Sequence, residues 1–206
     1  NVSSKEITVS NIDKTAPTMT TPTIDPTTWT NGSVTLKAKS KDSDSGISYY
    51  QWSTSSGITA YSGGWTAITN TKSEITQTHP VEANGTYYFY TKDASGNVGA
   101  TSIKVSSIDR TAPSATIKLS ATETTTTGTV TATVTHLDTG GSGVKVASCK
   151  WVLNTNSGNI GTSASSYTGG TFSSSSQSIN LSSSTVGTYY LHVLTVDNAG
   201  NAKETI

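Results

Sequence analysis

Apolar and polar positions alternate along most of this 206-residue chain. In "SVTLKAKS", Val34, Leu36 and Ala38 fall on one face, with Lys37 and Lys39 on the other. "TVTATVT" repeats the pattern with Val130, Ala132 and Val134, and "TIKLS" with Ile117 and Leu119. A period of two marks a strand with one buried face, and the Thr, Val and Tyr of these runs suit a pleated surface. Helical periodicity is missing almost everywhere. Turn pairs punctuate the runs at short intervals: Asn31-Gly32, Ser45-Gly46, Asn84-Gly85, Gly96-Asn97, Gly140-Gly141 and Ala199-Gly200. Many short strands between such turns predict an all-β chain, a β-sandwich or a barrel.

The pattern is also written twice. "IDKTAP" at 12–17 returns 96 residues later as "IDRTAP" at 108–113, and "NVSSKEITVSN" at 1–11 aligns without a gap on "NVGATSIKVSS" at 97–107. Thr127-Gly128 answers Asn31-Gly32, and Ser142-Gly143-Val144 answers Ser45-Gly46-Ile47. Trp151 answers Trp52, and "GTYY" at 187–190 answers 85–88. "DNAGN" at 197–201 answers "DASGN" at 93–97. So long a period lies outside the ~20–50 residues of solenoid repeats, so each copy is a whole domain able to bury its own core. The expected organisation is a strand remnant of a preceding repeat at 1–11, a first domain at 12–107 and a second at 108–206 with its last strand truncated. Within the first domain, strands are expected near 17–24, 33–40, 47–53, 85–92 and 97–106, with a hairpin over 58–77. Trp52, Trp151 and the tyrosines of the "GTYY" strands are expected to hold the cores. The cut ends imply a longer array, and an unpaired strand at 1–10 invites edge pairing between copies.

Composition narrows the partners. Thirteen basic and thirteen acidic residues cancel, and no basic run exceeds a pair, which argues against nucleic acid and anionic membrane. Charged residues are 13% of the chain, about half the usual share, so hydroxyls must carry the surface. No apolar run approaches the ~18 residues of a membrane helix, so no membrane insertion is expected. The single cysteine, Cys149, excludes an internal disulfide and a thiolate metal site. Two residues before Trp151, it shares that residue's face and reads as a small buried hydrophobe.

"IDxTAP", "DSDSGI" leading to "YQWS", "NGTYYFYTKDASGN" and "GTYYLHVLTVDNAGN" resemble the tandem bacterial immunoglobulin-like (Big-type) domains of secreted and cell-surface proteins. The resemblance covers essentially the whole chain. It implies two tandem immunoglobulin-like β-sandwiches joined by a short Pro-containing linker, in which Pro17 and Pro113 stiffen the joint. It further implies an extracellular location and a non-catalytic spacer, an adhesin-like stalk whose partners are neighbouring repeats of the same chain. The alternative it leaves open is a carbohydrate-binding accessory module of a secreted polysaccharide-acting enzyme, with a host or polysaccharide ligand. Both are associations carried by fold.

In such a sandwich the first strand's start and two inter-strand turns share one end. That gathers Asp13, Asp42, Asp44, Asp93 and Asn97 in the first domain, and Asp109, Asp138, Asp197 and Asn201 in the second. Oxygen ligands from several loops are what Ca²⁺ takes, about 6–8 of them at ~2.3–2.6 Å. Asp and Asn are equally turn formers that bond their own backbone, and the fold requires no cofactor. His79, His136 and His192 do not recur at equivalent places, and no Ser or Cys sits in a nucleophile motif, so no enzyme is expected. Lys37, Lys39, Lys104 and Lys118 run out of phase with the apolar set and should face water, which argues against a Lys–Asn isopeptide bond. Trp29, Trp65 and Tyr61, with the pair Tyr49-Tyr50, are candidates for stacking on sugars. Trp29 has Thr125 as its counterpart, so the repeat's core does not need it. The hydroxyl-rich run "TTTTGTVTATVT" reads as an ordinary solvated strand face.

Overall fold

Alternation becomes burial along β3 (Val34–Lys41), where Val34, Leu36 and Ala38 are buried while Thr35 and Lys37 are exposed. The computed structural model describes residues 4–123 and 129–206. Thr125, the Thr127-Gly128 turn and residues 1–3 lie outside the described residues. The chain is all-β and divides into two compact units. Unit 1 comprises Asn1–Thr27 and Ser33–Ser106, and unit 2 comprises Thr28–Gly32 and Ser107–Ile206. The short segment joins unit 2 through backbone bonds: Thr30 N–H donates to Ser107 O and Asp109 N–H to Thr30 O. Residues 4–10 are exposed and carry no strand.

Unit 1 holds two antiparallel sheets. In the first, β3 is flanked by β1 (Thr18–Met19) and β2 (Thr23–Asp25), and also pairs with β6 (Ile75–Val81). The second runs β5–β4–β7–β8, with β4 Ile47–Ser53, β5 Thr66–Thr71, β7 Gly85–Asp93 and β8 Val98–Val105. The first strand is interrupted at buried Pro22: between the pairs Thr18–Lys41 and Thr23–Lys37 the register slips by one residue. The hairpin expected over 58–77 does not form. Residues 58–65 carry no strand, and β5 pairs with β4 while β6 pairs with β3, so the chain changes sheet between them.

Unit 2 repeats this plan. One sheet orders β13 (Ser176–Leu181), β10 (Val130–Leu137) and β9 (Ser114–Leu119). The other orders β12 (Gly170–Thr171), β11 (Lys150–Asn154), β14 (Tyr190–Val196) and β15 (Ala202–Thr205). Ala132 and Val134 of one sheet meet Leu191 and Val193 of the other, with Cys149 and Phe172 between them, an arrangement consistent with a β-sandwich. Leu119, expected to point inward with Ile117, is instead 42% exposed at the end of β9.

The large buried ring of unit 1 is Phe89, fully buried, not Trp52. Trp52 is half-buried, tilted on Phe89 at 4.8 Å and stacked on His79 at 5.5 Å between ring centroids. Trp151 likewise packs against the core of unit 2 from a partly buried position, and Tyr189 and Tyr190 are only half-buried. The reason is a two-residue insertion. Eight residues separate Gly85 from Asp93 but ten separate Gly187 from Asp197, so β14 starts at Tyr190 and its core positions pass to Leu191 and Val193. The outer face of β14 is covered as well: Leu194 clusters with Val152 and Tyr167, and Ile160 packs on them.

Candidate functional site: twin carboxylate clusters

Both units gather three aspartates from distant parts of the chain. In unit 1, Asp13 lies ahead of β1, Asp42 follows β3 and Asp93 closes β7; one oxygen of each lies within 4.8 Å of the others. In unit 2, Asp109, Asp138 and Asp197 do the same. Asp42, Asp93, Asp109 and Asp197 are buried, so each carboxylate must find donors.

The donors are mainly backbone N–H groups of the turns. Asp13 accepts from Thr15 N at 2.8 Å and Ser45 N at 3.1 Å, and Asp42 from Asp44 N at 3.1 Å and Gly46 N at 2.8 Å. Asp93 takes both the N–H and the side-chain amide of Asn97, at 2.8 and 2.7 Å. The second copy reproduces this. Asp109 accepts from Thr111 N and Ser142 N, Asp138 from Gly140 N, Gly143 N and Ser142 Oγ, and Asp197 from both donors of Asn201. Asn97 Nδ2 also donates to Asp13 O at 3.3 Å, and Asn201 Nδ2 to Asp109 O at 2.9 Å. The two asparagines therefore tie each leading segment to the turn between the last two strands of its own unit.

These bonds set the electrostatics. Ser45 and Thr15, whose N–H groups both donate to it, hold the Asp13 carboxyl below the usual carboxylate range. At Asp109 burial pushes the pKa up, but the bonds from Ser142 and Thr111 outweigh it and leave it lowered. Carboxylate oxygens gathered this closely are the donor set a hard cation takes. Three carboxylates supply three of the roughly six to eight oxygens Ca²⁺ takes, leaving the rest to carbonyls and water. Asp44 is not among the clustered oxygens; it is exposed and contributes its backbone N–H to Asp42. Asn97 and Asn201 act as clamps.

The other candidates fall elsewhere. Trp29 is half-buried within unit 2, its ring edge near Gly141. Trp65 is half-buried in unit 1, where Nε1 donates to Thr59 O at 3.3 Å and Lys92 Nζ lies 4.9 Å from its ring centroid. The two tryptophans thus belong to different units. Tyr61 is 99% exposed. Lys37, Lys104 and Lys118 are exposed, and Lys39 pairs with Glu74 at 2.7 Å, as the alternation predicts. Cys149 is fully buried, and burial pushes its thiol pKa up.

Sequence reasoning missed two buried polar devices. Ser40 Oγ meets Thr91 Oγ1 at 2.8 Å between the sheets of unit 1, and His136 Nδ1 meets Thr195 Oγ1 at 2.8 Å in unit 2. Ser40 and His136 are 96 residues apart, so the repeat itself carried that signal. The other is His192, fully buried, with Nδ1 2.6 Å from Glu204 Oε1 and Nε2 2.9 Å from Asn156 O. Glu204 also accepts from Ile160 N and Gly161 N and so fastens the loop that covers β14. Beneath that loop, burial and the Glu204 charge push Tyr167 up to about 12. Nothing local in the sequence pairs His192 with Glu204.

Among the described residues no helix is long and apolar enough to cross a membrane. No protein-family model matches the chain. No curated protein matches it in sequence.

Proposed function

We propose that this chain is a non-catalytic spacer: tandem immunoglobulin-like domains of the bacterial Big type, forming an adhesin-like stalk of an extracellular or cell-surface protein. One observation carries the reading. In both units the leading "IDxTAP" segment is bonded to its own unit through Asp13 and Asn97, or Asp109 and Asn201. A segment fixed by side-chain and backbone bonds is held as part of its own unit, which suits a positional element. The same carboxylates are offered to Ca²⁺, which would fasten leading segment and turns together.

Thermal unfolding with calcium in millimolar excess, then with chelator, tests the ion. An ion at about 100 times its Kd adds about 2.7 kcal/mol, which raises a midpoint by roughly 10–20 °C for a domain of this size. Coincident curves would reduce the aspartates to turn anchors. Amide hydrogen exchange tests the fixed leading segments: protection of the Thr15 and Thr111 N–H groups is expected, and exchange at open-chain rates would overturn the reading.

A second reading, a saccharide-binding accessory module of a secreted polysaccharide-acting enzyme, is favoured by Tyr61, an aromatic ring left 99% exposed beside a cleft.

A further inference from the structure

The inference rests on that second reading and names its ligand chemistry. A cleft of about 370 Å³ opens beside the β7–β8 turn of unit 1, where Tyr49, Tyr61, Lys92, Ser95 and Gly96 line it together with Asp93, whose buried carboxylate is turned to Asn97. Lys92 Nζ stands 4.3 Å from the ring centroid of Tyr49 and 4.9 Å from that of Trp65, and donates to Ala60 O at 3.2 Å. Cation–π attraction and one carbonyl hold the ammonium in place, at the cost of one of its three protons. Among the described residues no carboxylate forms an ion pair with it. A fixed cation with donors to spare stands next to a ring that gives nothing to packing.

We propose that this cleft binds an acidic saccharide, a pyranose bearing a carboxylate. The carboxylate takes the Lys92 ammonium, and the apolar face of the sugar lies on Tyr61. A single ammonium with two N–H donors unspent offers one charge-assisted contact, which one carboxylate takes up. Unit 2 is a built-in contrast. Pairing with the last strand puts Val196 where unit 1 has Lys92, and a loop fastened by Glu204 covers that face. The site therefore belongs to unit 1 and not to the architecture both units share.

The full 206-residue chain would be titrated with trigalacturonate, galactotriose and acetate, following tryptophan fluorescence and amide shifts around Tyr61, Lys92 and Gly96. Trigalacturonate is expected to shift these signals, with galactotriose at least about tenfold weaker, the loss of one charge-assisted bond. Lys92→Met and Tyr61→Ala should each weaken binding about tenfold or more, and Lys92→Arg should restore it; Tyr61→Ala should keep the wild-type unfolding midpoint, while both Lys92 variants should keep wild-type amide shifts away from the cleft. Equal binding of galactotriose would overturn the acid assignment while leaving the saccharide reading in place. Acetate reproducing every shift would leave only an anion site and overturn the saccharide. No shift with either trisaccharide at millimolar concentration would remove both, and unchanged affinity in the Tyr61→Ala and Lys92→Met chains would place binding elsewhere.

Discussion

Replacing Asn201 by Ala tests whether the clamp at the head of unit 2 holds the fold. The substitution deletes an amide that donates to Asp197 Oδ2 at 2.7 Å and to Asp109 O at 2.9 Å. The backbone bond from residue 201 N–H to Asp197 Oδ1 survives. Asp197 is fully buried, so the orphaned carboxylate oxygen cannot turn to water. A hydrogen bond to a charged group is worth about 1.5–3 kcal/mol and a neutral one about 0.5–1.5, so the expected loss is about 2–4 kcal/mol. For a domain near 100 residues that lowers the midpoint by roughly 10–20 °C. Differential scanning calorimetry of the whole chain reads it directly, and Asn97→Ala, which removes the matching bonds of unit 1, should move the other transition. Asn201→Asp would place a fourth carboxylate beside Asp197 and should be worse in chelator. A loss below about 0.5 kcal/mol for Asn201→Ala would refute the clamp.

Two further outcomes follow from the same geometry. Burial holds His136 below its ordinary pKa of 6.5, so the unfolded chain takes up that proton first. Its contribution is therefore complete above pH 6.5 and declines as pH falls towards the folded value. Urea midpoints at pH 7.5 and 5.0 should differ more in the wild type than in His136→Gln, and equal differences would sink the assignment. Gly140→Ala would place a methyl group on the Asp109 carboxylate, which Thr111 and Ser142 hold in position. An overpacking loss of about 1–3 kcal/mol is expected by denaturant unfolding, and a neutral result would show the cluster is loose.

Some of this was legible in the chain. A residue's place in an alternating run says which way it faces, which is why Val34, Leu36 and Ala38, the exposed lysines and buried Cys149 stand where the pattern puts them. Turn chemistry is equally local, and it set the loops that bring the aspartates together. The repeat went further, because two copies of one pattern of Asp positions point to one architecture solved twice. The clusters themselves were read from the resemblance, since no local signal says that Asp13 lies beside Asp93.

Alternation does not say what lies opposite. The step from β5 into β6 looked like a hairpin because both runs alternate; which sheet each joins was decided by packing against β4 and β3. Phe89 took the central core position from Trp52 because the filler of a cavity is chosen by the shape of both sheets. Asp44 and Asp42 are equivalent as sequence, yet only Asp42 turns inward, where Gly46 N–H meets it. His192 and Glu204, twelve residues apart on adjacent strands, meet beneath a separate loop that also bonds Glu204. The chain determined faces, turns and the duplication, because those are local properties. The partners across the core and at the head of each unit were fixed by tertiary packing, because a buried polar group is satisfied by whichever atoms the fold brings within hydrogen-bond reach.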